Sequence, residues 1–151
     1  MKKSTLIKWM SLWPPFLGAG IRVKTLSPDF RLIEVEMGLR FWNRNYVGTH
    51  FGGSLYSMTD PFFMLMLIEN LGRDYIVWDK SSSIQYKRPG RGTVRARFEL
   101  SEEQILTIKQ AADDNPKTEH ELQVEVTDEF GQVIAKVTKL LHIKKKPEIR
   151  P

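Results

Sequence analysis

Between residues 33 and 38 the apolar side chains of Ile33, Val35 and Met37 alternate with Glu34, Glu36 and Gly38. A period of two marks a strand with one buried face. Ile21, Val23 and Leu26 predict a weaker strand before it, with a turn at Ser27-Pro28-Asp29 between the two. From Ser54 to Leu71 the pattern changes, and Leu55, Met58, Phe62, Leu65, Leu67 and Ile68 run almost all round a helix. Such a segment predicts a buried central helix, ended by Gly72. Pro61 inside it removes the bond to the Ser57 carbonyl and predicts a kink. Residues 75–88, 92–100, 119–128 and 132–143 then read as long strands. Val94, Ala96, Phe98 and Leu100 alternate with Arg95, Arg97 and Glu99, as do Leu122, Val124 and Val126 with Gln123, Glu125 and Thr127. Pro89-Gly90 and Phe130-Gly131 mark turns, and the pair Ser101/Gln104 is a capping box that starts a short helix. At the front, Leu6, Met10 and Trp13, with Trp9 and Leu12 beside them, predict an amphipathic helix over 4–13 closed by Pro14-Pro15. Residues 144–151 read as a basic tail.

Two strands, one buried helix and four strands in 151 residues make a single α+β domain over 1–151. The helix is buried most simply by wrapping a six-stranded antiparallel sheet around it. The far face and the edges of that sheet then need cover, which implies self-association.

Charge changes this picture little. The chain carries 23 Lys+Arg against 18 Asp+Glu, a net +5. Lys139 to Pro151 holds a net +4 and the first eight residues a net +3, so residues 9–138 are slightly acidic at −2. The basic ends read as solvated tails, and no nucleic-acid partner is expected. One inner run differs: Lys87, Arg88, Arg91, Arg95 and Arg97 lie close together with no acid among them, which suits a phosphate-bearing ligand. With no cysteine, disulfides, thiolate metal sites and a cysteine nucleophile are excluded, and three histidines leave little for a metal site. No apolar run approaches the ~18 residues of a spanning helix. Lys8 interrupts the only segment with a faint leader pattern, so a cytoplasmic protein is expected.

The nucleophile elbow, the phosphate loop, the paired-histidine zinc motif and the dinucleotide fingerprint are all missing from the sequence. What remains is Asn45-Tyr-Val-Gly48-Thr-His-Phe-Gly52-Gly53, followed by Asp60. Glycines at a helix start let a ligand approach free N–H groups, which can serve as an oxyanion hole. A carboxylate in an otherwise apolar helix is either held by a structural bond or kept for chemistry. On one helix Gly52 and Asp60 lie about 12 Å apart along the axis. Two antiparallel helices from two subunits would bring one chain's Gly52 toward the other's Asp60.

At these residues the sequence resembles the hotdog-fold thioesterase superfamily, in particular its branch of phenylacetate-type (PaaI-like) acyl-CoA thioesterases and related domains of uncertain function. That pattern is Asn-x-x-Gly-x-x-His-Gly-Gly with an acid seven positions after the last glycine. Asn45, Gly48, Gly52, Gly53 and Asp60 fall in register with it, and Ile84 to Thr93 resembles the strand and turn after the helix. Phe51 stands where the family has its histidine, with His50 offset by one, and Pro61 follows the acid. The resemblance implies a hotdog domain, dimeric or tetrameric, that hydrolyses an acyl or aryl thioester of coenzyme A or an acyl carrier. Coenzyme A would be part of the substrate, with no separate cofactor and no metal. Gly52 would polarise the carbonyl, Asn45 position the water or carbonyl, and Asp60 of the partner chain act as base or nucleophile. Gly53, Phe51, Asp79, Ser83, Arg88 and Arg91 would line the substrate site, the arginines meeting the nucleotide phosphates. Tyr56, Phe62 and Phe63 would line an acyl pocket, capped by Trp9 and Trp13. Phe51 and Pro61 favour an alternative, a non-catalytic acyl-CoA or lipid-binding module.

Overall fold

A computed structural model describes Thr5 and residues 9–148. Six strands, β1 (Ile21–Leu26), β2 (Leu32–Gly38), β3 (Tyr75–Tyr86), β4 (Thr93–Glu99), β5 (Thr118–Thr127) and β6 (Val133–Lys145), form one antiparallel sheet in the order β1-β2-β4-β5-β6-β3. The strand periods read from the sequence place these strands to within about three residues. β6 runs on through Lys145, so the segment read as a tail begins inside the sheet.

The central helix is in two pieces, α2 (Gly52–Ser57) and α3 (Phe62–Leu71). Pro61 is the reason: it has no N–H to give, and its ring crowds the helical conformation of the residue before it. α2 closes in tight bonds from Thr59 N–H to the Tyr56 carbonyl and from Asp60 N–H to that of Ser57. α3 restarts with Leu65 N–H on Pro61, so the predicted kink is a break with Asp60 on the turn. Gly72 caps α3 through Ile68.

Phe62, Phe63, Met66 and Leu67 of α3 are buried against Ile33, Val35, Met37, Val94, Ala96 and Phe98 of the sheet. The Phe62 and Phe63 rings each stand 5.1 Å from that of Phe98. Phe62 and Phe63 are therefore core, and the acyl-pocket role expected of them is corrected. A further helix, α4 (Glu102–Asp114), has the expected Ser101/Gln104 capping box and buries Ile105, Ile108 and Ala112.

The N-terminal expectation also changes. Pro14-Pro15 opens a helix, α1 (Pro14–Ala19), instead of ending one, because a first helical turn needs no N–H from its proline. Met10–Leu12 form a single 3-10 turn before it, and the rest of the expected helix, residues 4 and 6–8, lies outside the described residues. Phe16 of α1 is buried against Phe62, while Trp9 and Trp13 stay largely exposed.

Candidate active site

Residues 39–51 join β2 to α2, and their polar side chains fix the path. Asn43 donates to the carbonyls of Ala19 and Gly38 and accepts from Arg40 N–H, tying the loop to α1 and β2. Asn45 Oδ1 accepts from the N–H groups of Val47 (3.2 Å) and Thr49 (2.9 Å). Its Nδ2 donates to Thr49 Oγ1 (2.9 Å) and the His50 carbonyl (3.3 Å). An amide has two donors and two acceptor positions, so Asn45 is committed to the loop and presents no free group to a water. His50 N–H donates to the Gly90 carbonyl, and ring Nε2 lies 2.7 Å from that of Gly92. The buried ring thus ties the loop to the turn after β3, and burial pushes its pKa below the usual histidine value.

The loop delivers Gly52 and Gly53 as the first residues of α2, where no helical carbonyl lies four residues back to take their N–H groups. Both glycines sit close under aromatic side chains, which a larger residue would have to displace. A Cβ on Gly52 would stand 2.9 Å from Tyr86 Oη, and one on Gly53 2.6 Å from the Phe51 ring. Around them is a cleft of about 630 Å³, walled by Phe51, Leu55 and Tyr86, with Lys87, Arg88 and Arg91 on its lining. Arg95 and Arg97, from the same run of cations, pair with Glu36 and Glu34 on the sheet instead.

Past the other end of α2 lies Asp60, its side chain 55% exposed. Its Oδ1 is 3.0 Å from the ammonium of Lys139, which also lies 3.2 Å from Asp79 Oδ2 and 5.3 Å from the Tyr56 ring centroid. Lys139 is 1% exposed. Strand register explains this. On β6 the buried file is Ala135, Val137, Lys139, Leu141 and Ile143, so position 139 must face the helix. On β3, Asp79 pairs with Leu141 and Ser81 with Leu140, leaving Lys80 as a one-residue bulge. The bulge switches the phase, so that Val77 and Asp79 turn inward before it and Ser82 and Ile84 after it. Burial pushes the Asp79 carboxyl up, opposed by the Lys139 charge. Asp79 Oδ1 is buried and has no hydrogen-bond partner among the described residues.

The expected residues thus fall into two groups. Asn45, Phe51, Gly52, Gly53, Arg88 and Arg91 line the cleft, and Asp60 and Asp79 meet through Lys139. Ser83 belongs to neither, being exposed on β3 opposite Thr138. Trp9 and Trp13 do not line the cleft, and Tyr56 lies by Lys139. By charge alone Lys139 groups with the basic C-terminal end. Its place in the apolar file Val137-x-x-x-Leu141 was the signal that could have found it.

Comparisons with known proteins agree with this architecture. No curated protein matches the sequence. The fold is shared with a protein of unknown function and probable thioesterase from Pseudomonas aeruginosa, PA5026, at 22% identity and TM-score 0.81, over 94% of this chain and 95% of that one. It is also shared with the thioesterase HI1161 from Haemophilus influenzae (15%, TM-score 0.67, 96% and 92%). A third is the PaaI protein of the phenylacetic acid degradation operon of E. coli (14%, TM-score 0.62, 91% of each chain). The architecture is the hotdog fold of these structures. Residues 3–143 match a family described as a domain of unknown function, DUF4442, and the chain is a member of that family.

Proposed function

We propose that the protein hydrolyses an acyl thioester, in a site completed by a second copy of the chain. The observation that carries this reading is the division of labour across α2: backbone donors and an apolar cleft at Gly52, and an exposed carboxylate at Asp60. Within one chain a whole helix separates them. β3 lies at the sheet edge, and pairing of two such edges sets the α2 helices antiparallel, one chain's Gly52 toward the other's Asp60. Asp60 takes a proton from water, whose oxygen attacks the thioester carbonyl. The Gly52 N–H donates to the oxyanion, and the carbonyl re-forms as the thiolate leaves and takes up the proton. The cations at the cleft suit a substrate ending in nucleotide phosphates, as coenzyme A does, and the apolar walls suit its acyl or aryl group.

The Phe51 ring against Gly53 supports the second reading, a binding module without turnover. A panel of acyl-CoA substrates offered to wild type and Asp60→Asn separates the two. Turnover that falls about 10²- to 10⁴-fold in the variant, with binding kept, is the expected result. A wild type that binds these thioesters without turning any over is the result for the module.

A further inference from the structure

The established geometry leaves a buried ammonium to be explained. Position 139 sits between Val137 and Leu141 on the buried face of β6, where an aliphatic side chain would fill the space without a charge to desolvate. Replacing buried ion pairs by packed apolar groups is often neutral or stabilising, so stability alone does not account for a lysine here. The ammonium reaches Oδ1 of Asp60 from inside the fold while that side chain stays half exposed on its other side. It also shares its charge with Asp79, which approaches from β3, and stacks over Tyr56 from α2.

We infer that Lys139 is a positioning residue for Asp60: its ammonium, shared with Asp79, fixes from inside the fold the direction in which the Asp60 carboxylate points. The inference rests on the reading of Asp60 as the base. The groups around this ammonium are Asp60 on the turn after α2, Asp79 on β3 and the Tyr56 phenol on α2; Lys80 of the same bulge pairs instead with Glu119. The two carboxylates share one cation, so Asp79 anchors the ammonium that holds Asp60.

Lys139→Met and Lys139→Arg, compared with wild type and Asp60→Asn in kcat, KM and melting temperature, test this. Lys139→Met is expected to lower kcat about 30-fold or more with KM changed less than about threefold, as loss of a transition-state contribution requires. Lys139→Arg, which keeps the cation, restores part of kcat. A merely structural lysine lowers the melting temperature without this split between kcat and KM. Should Lys139→Met fail to fold, Lys139→Gln, uncharged and of similar reach, takes its place. An undiminished kcat in the folded uncharged variant, or a KM that rises as far as kcat falls, overturns the inference. Equal activity in wild type and Asp60→Asn overturns the thioesterase reading instead, so the two failures are told apart.

Discussion

The two ends of α2 are built by opposite means. At the Gly52 end the groups offered to a ligand are backbone N–H groups, the walls are Phe51, Leu55 and Tyr86, and polar side chains such as Asn45 and His50 shape the loop. At the Asp60 end the groups are side-chain charges, two carboxylates lying within 3.2 Å of one ammonium. On the reading proposed above, the two ends are complementary: one offers backbone donors and an apolar cleft, the other an exposed carboxylate that is no part of that cleft's lining.

The comparison breaks most severely at the glycine. Gly52→Val brings side-chain carbon to within 2.9 Å of Tyr86 Oη and crowds the approach to its own N–H, and turnover is expected to fall 10²-fold or more, the scale of an oxyanion donor put out of reach. Steady-state kinetics beside a circular-dichroism melt check that the fold survives. The corresponding loss at the other end, in Asp60→Asn, must leave the cleft able to bind.

A smaller effect sharpens the role of the cleft's cations. Arg88→Ala and Arg91→Ala are expected to raise KM for a coenzyme A thioester about three- to tenfold each, through lost charge-assisted bonds to phosphate. The same variants leave KM for a short thioester lacking the nucleotide within about twofold. Equal losses on both substrates contradict a phosphate-binding role.

The smallest effects are on stability against pH, and the two ends carry opposite signs. Burial depresses the folded-state pKa of His50, so the unfolded chain binds its proton more readily. Its contribution is full above the ordinary value of 6.5 and is lost as pH falls below it. Burial raises that of Asp79; its contribution is present below the ordinary 3.8 and is lost as pH rises through the folded value. Denaturant melts at a series of pH values check this. His50→Gln flattens the profile below pH 6.5, and Asp79→Asn flattens it at the acid end.

These two ends were also unequally legible in the sequence. The cleft end could be read because its requirements are local: Gly52 and Gly53 are consecutive, and the loop that carries them is one segment. Asp60 could be read as an acid out of place in an apolar helix. Its partners could not be read as easily, since Asp79 and Lys139 lie 60 residues apart and meet only through strand register and a bulge at Lys80. Lys139 opens the basic C-terminal end by charge, while by phase it belongs with Val137 and Leu141. The break at Pro61 was legible as a kink, but its consequence, an aspartate moved off the helix and onto a turn toward β6, needed three dimensions. Asn45 matched a pattern, and only its four loop hydrogen bonds show that its amide is already occupied.

In the proposed site, Gly52 comes from one chain and Asp60 from another. Gly52→Val and Asp60→Asn, each inactive alone, can be unfolded together and refolded as mixed oligomers. A mixed dimer carries one site with both substitutions and one with neither, so random one-to-one mixing restores about one quarter of wild-type activity. A mixture confirmed to contain mixed dimers that stays as inactive as its parents contradicts the claim.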